Sequence, residues 1–439
     1  MSKIEPRTLK GFRDFLPADM RIRIPVFQAF RESFEKYGYE PLETPTLEYA
    51  DILMGKYGEE AENLIYHFRD RGNREVAMRY DVTVPACRVF AQHRNDLPIP
   101  FKRYQIQPVW RADNTQKGRF REFYQCDADT FGSSSLLAEA EFIALGVEVL
   151  QKLGFEHFVV RINNRKIIDG IAKYAGASED QFYTICIAID KLDKIGREGV
   201  EAELRAKSIP DATIGRIRNM LDLAEETEVL DQLETLLADF PGALEGIEEL
   251  RELFELLRSL DVPEKYYRFD VTIIRGLSYY TGPVWEFEIT DGGVGSVGGG
   301  GRYDKLVGIY LGQDMPAAGG SFGIERIIEL IKERNLLPTH DDRRILVTVS
   351  SRELLAHSLA IARLVRNAGF ATTVYPEPAR LDRQFKYADR KRFPYVLVSG
   401  EVEQKNGTVR IKNMTTGTEH TVPVSDVITT LHASVHASV

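Results

Sequence analysis

The sequence predicts an α+β chain, in which strand-rich blocks flank a helical module and a small α/β domain closes the C-terminal end. Three observations carry this. Strand-like runs at 101–111 and 122–131 enclose a polar loop. Apolar residues at three- and four-residue spacing fill an acidic stretch, roughly 165–262, broken by Pro210 and Pro241-Gly242. Beyond residue 343, short apolar strands alternate with helices, the pattern of a largely parallel sheet.

Along the chain, residues 18–37 read as an amphipathic helix, with Phe27, Phe30, Phe34 and Tyr37 on one face and Gly38 at the stop. Pro41 and Pro45 punctuate an extended segment at 39–47, and 136–153 returns to helical spacing. In the helical module, Leu230, Leu233 and Leu237, then Leu250, Leu253, Phe254 and Leu257, mark buried stripes. Strands resume at 266–274 and 284–289, and the glycine-rich stretch 292–301 reads as a mobile loop. Residues 333–344 read as a linker, followed by strands at 345–349, 371–375 and 395–399. The doubled His-Ala-Ser-Val at the end reads as a frayed tail.

Of the 439 residues, 43% are hydrophobic and 28% charged, which excludes a wholly disordered chain. No apolar run reaches bilayer length, so no membrane association is expected. The N-terminus lacks an apolar core of signal-peptide length. Cys87, Cys126 and Cys186 are widely spaced, which fits a reducing cytoplasm, and no Cys/His cluster has zinc spacing. The net charge of −9 counts against a polyanionic partner only if it is spread evenly, and it is not. Residues 197–261 hold 17 acidic and 7 basic side chains, whereas 343–439 hold 14 basic and 8 acidic.

Four constellations could carry chemistry. In the strand pair, alternation places Arg111 on a face with Val109 and Gln107, and Gln125, Asp127 and Asp129 on a face of the partner. If the faces coincide, the carboxylates suit an ammonium and the arginine an anion; a solvated sheet face with surface salt bridges fits the same residue types. The loop adds Lys117, Arg119 and Arg121 around Gly118, a composition suited to phosphate. In the second, Arg275-Gly276-Leu277-Ser278-Tyr279-Tyr280-Thr281-Gly282, a cation sits beside tyrosine hydroxyls at a strand end, and the two tyrosines point oppositely if the segment is extended. Gly293-Val294-Gly295-Ser296-Val297-Gly298 matches the dinucleotide fingerprint only formally, because no helix starts within it. In the fourth, Gly319-Gly320-Ser321-Phe322-Gly323-Ile324-Glu325-Arg326, small residues on a strand precede a helix that carries Arg326 in its first turn.

Together these segments resemble class II aminoacyl-tRNA synthetases, and among them the histidyl-tRNA synthetases, over nearly the whole chain. Pro45 resembles the motif 1 proline at the dimer interface; Trp110-Arg111-Ala112-Asp113 through Arg119 to Gln125 resembles motif 2; Gly323-Ile324-Glu325-Arg326 resembles motif 3. Arg275 to Tyr280, and Gly300-Gly301-Arg302-Tyr303-Asp304, resemble the two histidine-specific signatures. The resemblance implies an antiparallel-sheet catalytic core in two parts, 1–164 and 263–334, with a helical insertion at 165–262 and an α/β anticodon-binding domain at 343–430.

It also implies residue roles. Arg111 would hold the ATP α-phosphate and the amino-acid carboxylate, and Arg119 and Arg326 the γ-phosphate end. Asp81, Val82 and Thr83 fall where the family binds the α-amino group, with Gln125 beside them. Asp129 and Tyr280 would read the imidazole, Tyr279 would line the pocket, and Arg275 would stabilise the α-phosphate in the transition state. The implied substrates are ATP with Mg²⁺, L-histidine and tRNA(His), for a cytoplasmic homodimer, with no resident protein-bound metal. Arg121 and the helix residues Arg383, Lys386 and Arg390, interleaved with Phe385 and Tyr387, would meet tRNA. Asp81, Asp113 and Asp129 stand where many bacterial members carry glutamate, Asn114-Thr115 where Arg-Pro is common, and Ser278 where aspartate is usual. The alternatives are a non-catalytic paralogue that regulates histidine biosynthesis and a class II synthetase of other specificity.

Overall fold

The computed structural model describes residues 4–436 except 57–61, 117, 190, 224–228, 274–278, 292, 294 and 338–342. The chain divides into two compact units, Met1–Leu337 and Pro338–Val439.

In the first unit the strands are β1 (Glu40–Pro41), β2 (Leu47–Tyr49), β3 (His67–Arg69), β4 (Glu75–Met78), β5 (Phe101–Trp110), β6 (Glu122–Phe131), β7 (Phe158–Asn164), β8 (Tyr267–Phe269), β9 (Pro283–Ile289), β10 (Ser296–Arg302) and β11 (Ala317–Gly323). Eight of them form one sheet in the order β1-β5-β6-β11-β10-β9-β7-β8, antiparallel except at its two ends. A second sheet, β2-β4-β3, stands apart from it.

The long hairpin β5–β6 organises the large sheet, pairing from Phe101↔Phe131 to Trp110↔Glu122. Alternation sends Tyr104, Cys126 and Ala128 to one face, where helices Pro17–Lys36 and Leu137–Lys152 cover them. Phe142 stacks on Phe322 of β11 at 5.6 Å between ring centroids, and Phe30 and Phe287 close around the same ring. Burying such aromatics contributes about 2–3 kcal/mol each. The opposite face carries Arg103, Gln105 and Gln107 of β5 beside Gln125, Asp127 and Asp129 of β6.

From Ser296 onward the glycine-rich stretch is a strand, contrary to the loop expected from its composition. β10 lies between β9 and β11 in the large sheet. Its glycines are required by close approach: a Cβ on Gly300 would sit 2.2 Å from the Gly319 carbonyl oxygen and 2.7 Å from Trp285. Composition alone does not distinguish a loop from a strand whose neighbours leave no room for side chains.

Between β7 and β8 run helices from Arg165–Tyr174 to Pro241–Ser259. The Asn164 side chain accepts from the Lys166 N–H at 2.9 Å and caps the first of them. Gly170 admits the last helix, since a Cβ there would lie 2.4 Å from that of Ala243. Ile247, Leu250, Leu253 and Leu257 form its buried stripe, while Phe254 is only partly covered.

The second unit holds β12 (Arg344–Val347), β13 (Ala371–Val374), β14 (Tyr395–Val398), β15 (Thr408–Asn413) and β16 (Glu419–Pro423), ordered β13-β12-β14-β15-β16. The first three are parallel and the last two antiparallel, so the sheet is mixed. The hairpin β15–β16 escapes sequence reading because only Val409 and Ile411 of it are buried. The expected frayed tail is helical as far as His436, anchored by Val427 and Leu431.

Candidate active site

A cavity of about 320 Å³ opens on the polar face of the large sheet. Arg111, Arg119 and Arg326 line it together with Gln125, Ser321 and Gly299. Arg111 follows the end of β5, where its Nε donates to the Tyr80 carbonyl at 3.0 Å and its guanidinium lies 4.1 Å above the Tyr80 ring. The β5–β6 loop folds back through an Arg111 N–H to Arg121 carbonyl bond of 3.0 Å. Its tip turns at Gly118, whose φ of +71° favours glycine, and that places Arg119 over the cavity, 3.2 Å from Asp113. Arg326 stands in the first turn of helix Ile324–Arg334 and donates to the Ser296 carbonyl.

Glu325 fixes this corner. Its carboxylate is 5% exposed and accepts from Arg13 at 2.5 Å and from Arg23 at 2.8 Å through both oxygens. Burial raises its pKa, but Arg23 and Arg13 outweigh that and hold the group below the usual glutamate range.

From the cavity wall, the β6 row continues from Gln125 to Asp127 and Asp129. The solvated face allowed by residue types is excluded, because Arg103, Gln105 and Asp127 are fully buried and Asp129 is 1% exposed. Asp129 pairs with Arg103 and accepts from the Tyr303 hydroxyl. Burial pushes its carboxyl up, against the pull of Arg103 and Tyr303. Asp127 accepts from the Thr83 hydroxyl at 3.3 Å. Burial pushes it up to about 7; Arg103 pulls it down, and Asp129 and Asp81 push it further up. The Gln125 amide donates to Ser321 at 2.9 Å. Asp81 accepts from the Val84 N–H at 3.0 Å where helix Thr83–Gln92 begins, with Val82 buried beside it.

Glycines floor this end of the site. A Cβ on Gly319 would fall 2.1 Å from the Asp129 carboxylate, and one on Gly301 would meet the Tyr280 ring at 2.8 Å. The Tyr279 and Tyr280 rings stand 4.6 Å apart, and Tyr279 meets Tyr303 edge-on at 6.0 Å. The two tyrosines therefore lie together, not on opposite sides as an extended segment would require. Arg275, the residue expected at the α-phosphate, lies outside the described residues, as do Ser278 and Lys117.

Arg121, expected to meet tRNA, donates its backbone N–H to the Gly11 carbonyl at 3.0 Å and its Nε to the Asp113 carbonyl at 3.1 Å, and so braces the N-terminal segment against the loop. In the second unit, Arg383, Lys386 and Arg390 share the exposed face of helix Leu381–Arg390. Phe385 and Tyr387 instead pack inward, Tyr387 edge-on to Tyr375 at 5.4 Å. Both are partly buried against the core of this unit, because the helix must bury one face.

Sequence reasoning missed Arg103 altogether, named Tyr303 and Glu325 only as members of motifs, and placed Asp127 on the acidic face without giving it a partner. Period-two alternation along β5 would have placed Arg103 opposite Asp129, had the register been known.

A histidyl-tRNA synthetase family model matches residues 11–327, and an anticodon-binding domain model matches 344–434. The histidine–tRNA ligase of Cytophaga hutchinsonii is 41% identical over 97% of this chain and 99% of its own length. That of Phocaeicola vulgatus is 39% identical over 98% and 99%. The crystal structure of histidyl-tRNA synthetase from Nostoc sp. PCC 7120 superposes with a TM-score of 0.86 at 31% identity, covering 98% of this chain and 100% of that one. With likeness of sequence and of fold both running nearly end to end, the chain belongs to the histidyl-tRNA synthetase family.

Proposed function

We propose that the arginine-walled cavity and the acidic row behind it carry the histidine–tRNA ligase reaction. Histidine and ATP give histidyl-adenylate and pyrophosphate, and the histidyl group then passes to the 3′-terminal adenosine of tRNA(His). The observation that carries this reading is the continuity of Arg111, Arg119 and Arg326 with the row Gln125, Asp127, Asp129 on one sheet face. Attack of a carboxylate on the α-phosphorus needs alignment and charge neutralisation more than covalent chemistry, and arginines supply both.

In this reading Arg111 bridges the α-phosphate and the histidine carboxylate, and Arg119 and Arg326 hold the γ-phosphate end. Asp81, Val82, Thr83 and Gln125 surround the α-amino group. Asp129 and Tyr280 read the imidazole, Tyr279 lines its pocket, and Arg275 stabilises the α-phosphate as it becomes pentacoordinate. Arg103 and Tyr303 keep Asp129 in one orientation. Asp113, a carboxylate on the cavity wall, fits Mg²⁺ that arrives with ATP, since Mg²⁺ is held by one or two carboxylates plus substrate phosphates. It would screen the phosphate charge.

Arg383, Lys386 and Arg390 offer an exposed basic face to the tRNA anticodon region. Homodimerisation is supported by Tyr49 and Phe68, which flank Val76 across the small sheet and are 55% and 45% exposed. Among the described residues, no helix is long and apolar enough to cross a membrane. The buried free thiols of Cys87, Cys126 and Cys186 fit work in the cytoplasm.

The test is ATP–pyrophosphate exchange with each of the twenty amino acids. Exchange with histidine alone is expected. No exchange with any would sink the enzyme reading, and exchange with another amino acid would sink the specificity.

A further inference from the structure

Two of the cavity arginines reach the site on separate elements. Arg119 comes from the loop between β5 and β6, and Arg326 from helix Ile324–Arg334. A segment from the far end of the chain touches the support of each. Arg13 donates to the Glu325 carboxylate at 2.5 Å, and Glu325 immediately precedes Arg326. The same guanidinium lies 3.2 Å from the centre of the Phe120 ring, and Phe120, which lines the cavity, immediately follows Arg119. One planar cation therefore joins the neighbours of both cavity arginines.

The needs of Glu325 do not account for Arg13. Arg23 already meets both oxygens of that carboxylate, each at 2.8 Å. A second guanidinium beside the first adds like-charge repulsion. What Arg13 adds is the contact with Phe120, and the segment that carries it is seated on the loop. The Arg121 N–H donates to the Gly11 carbonyl at 3.0 Å, and Gly11 has a φ of +87°. A Cβ on Gly11 would lie 2.7 Å from the Arg121 side chain and 2.9 Å from that of Thr115, so only glycine lets the segment approach so closely.

Resting on the reading that Arg119 and Arg326 hold the γ-phosphate end of ATP, we infer that Arg13 is a positioning residue for that end. It acts through Phe120 on the loop and through Glu325 on the helix. Arg119 and Arg326 repel each other while no phosphate lies between them, and the Arg13 clamp opposes their separation. Holding both in place before ATP arrives lowers the ordering cost of binding. The benefit falls on the outer phosphates; histidine, read from the acidic row of β6, gains nothing from it.

The experiment is histidine-dependent ATP–pyrophosphate exchange by the full chain, with AMP, which lacks the β- and γ-phosphates, as competitor. Arg13→Ala is expected to raise the KM for ATP and for pyrophosphate roughly 5- to 50-fold, the cost of ordering two long side chains on binding. The KM for histidine and the inhibition constant of AMP should stay within about twofold, because neither ligand reaches the clamped pair. An unchanged KM for ATP would overturn the assignment. Equal weakening of ATP and AMP, or of ATP and histidine, would also overturn it, since general damage has that form. Phe120→Leu removes the ring and should give the same split. In that background Arg13→Ala should add less than about twofold, because a clamp released at one end no longer holds; effects that simply multiply would show that Arg13 does not act through the ring. If Arg13→Ala fails to fold by circular dichroism, the split in Phe120→Leu decides, and its absence counts against the clamp. An unchanged ATP KM in both Arg119→Ala and Arg326→Ala would mark failure of the underlying reading, separately from the role of Arg13.

Discussion

The acidic row on β6 and the basic face of helix Leu381–Arg390 carry opposite charges in opposite settings. Asp127 and Asp129 are buried and coupled through Arg103. Arg383, Lys386 and Arg390 are exposed, and Arg383 pairs with Glu377 only loosely, at 3.7 Å between side chains more than 60% exposed. Charge in the first setting is governed by which partner is present, and in the second by screening. Substitutions in the two regions should therefore differ in size, in pH dependence and in salt dependence.

The largest effect is expected at Glu325, which belongs to the buried class. Glu325→Ala leaves the Arg23 guanidinium, 2% exposed, without its carboxylate. A loss of about 3–5 kcal/mol of stability follows, measurable by urea denaturation at pH 7. Arg23 and Arg13 hold the Glu325 carboxyl below its usual range despite burial. Its stabilisation is therefore complete above the unfolded pKa of 4.5 and is lost as pH falls through the lower folded value. A change under 1 kcal/mol would erase the distinction between the two regions.

Asp127 comes next, with the opposite sign. Its carboxyl rises from 3.8 to about 7 on folding, so the folded chain holds that proton more tightly than the unfolded chain. Ionising it costs nothing below about pH 4, and the cost grows until pH passes about 7. Asp127→Asn avoids the cost, so its stability advantage over wild type should grow across that window, to at most about 4 kcal/mol. Denaturation midpoints at pH 4, 5.5 and 7.5 test the trend; a flat difference would mean that the buried charge is met by a partner.

The basic helix should give the smallest effects. Arg383→Ala, Lys386→Ala and Arg390→Ala each leave stability within about 0.5 kcal/mol. Each should weaken tRNA(His) binding by about 1 kcal/mol or less and lower the salt slope by roughly one where a phosphate contact is lost. Filter binding at several salt concentrations separates this from folding damage: a fall in Tm without a change in salt slope would make the face structural.

The elements with strong periodicity were readable from residues alone. Helix Pro17–Lys36 and the β5–β6 hairpin fall within a residue or two of their predicted limits, because one buried stripe or face dictates each. The alternation of Gln125, Asp127 and Asp129 was visible too, but whether water or protein covers that face is not a local property. β10 was misread because a run of glycines is silent about what its neighbours demand. Phe385 and Tyr387 were ambiguous for the converse reason: aromatic and basic residues in alternation fit an RNA-binding face and a half-buried helix equally well.

Residue order was enough to establish the kind of fold, the family and the arginines of the cavity, since these rest on patterns within short segments. Which partner each acid meets depended on strand register and on side chains far apart in the chain. Arg103 meets Asp129, Thr83 meets Asp127 and Arg23 meets Glu325 only after the sheet and its helices assemble. Desolvation and pairing set the behaviour of a buried charge, and both arise from neighbours that the three-dimensional structure supplies.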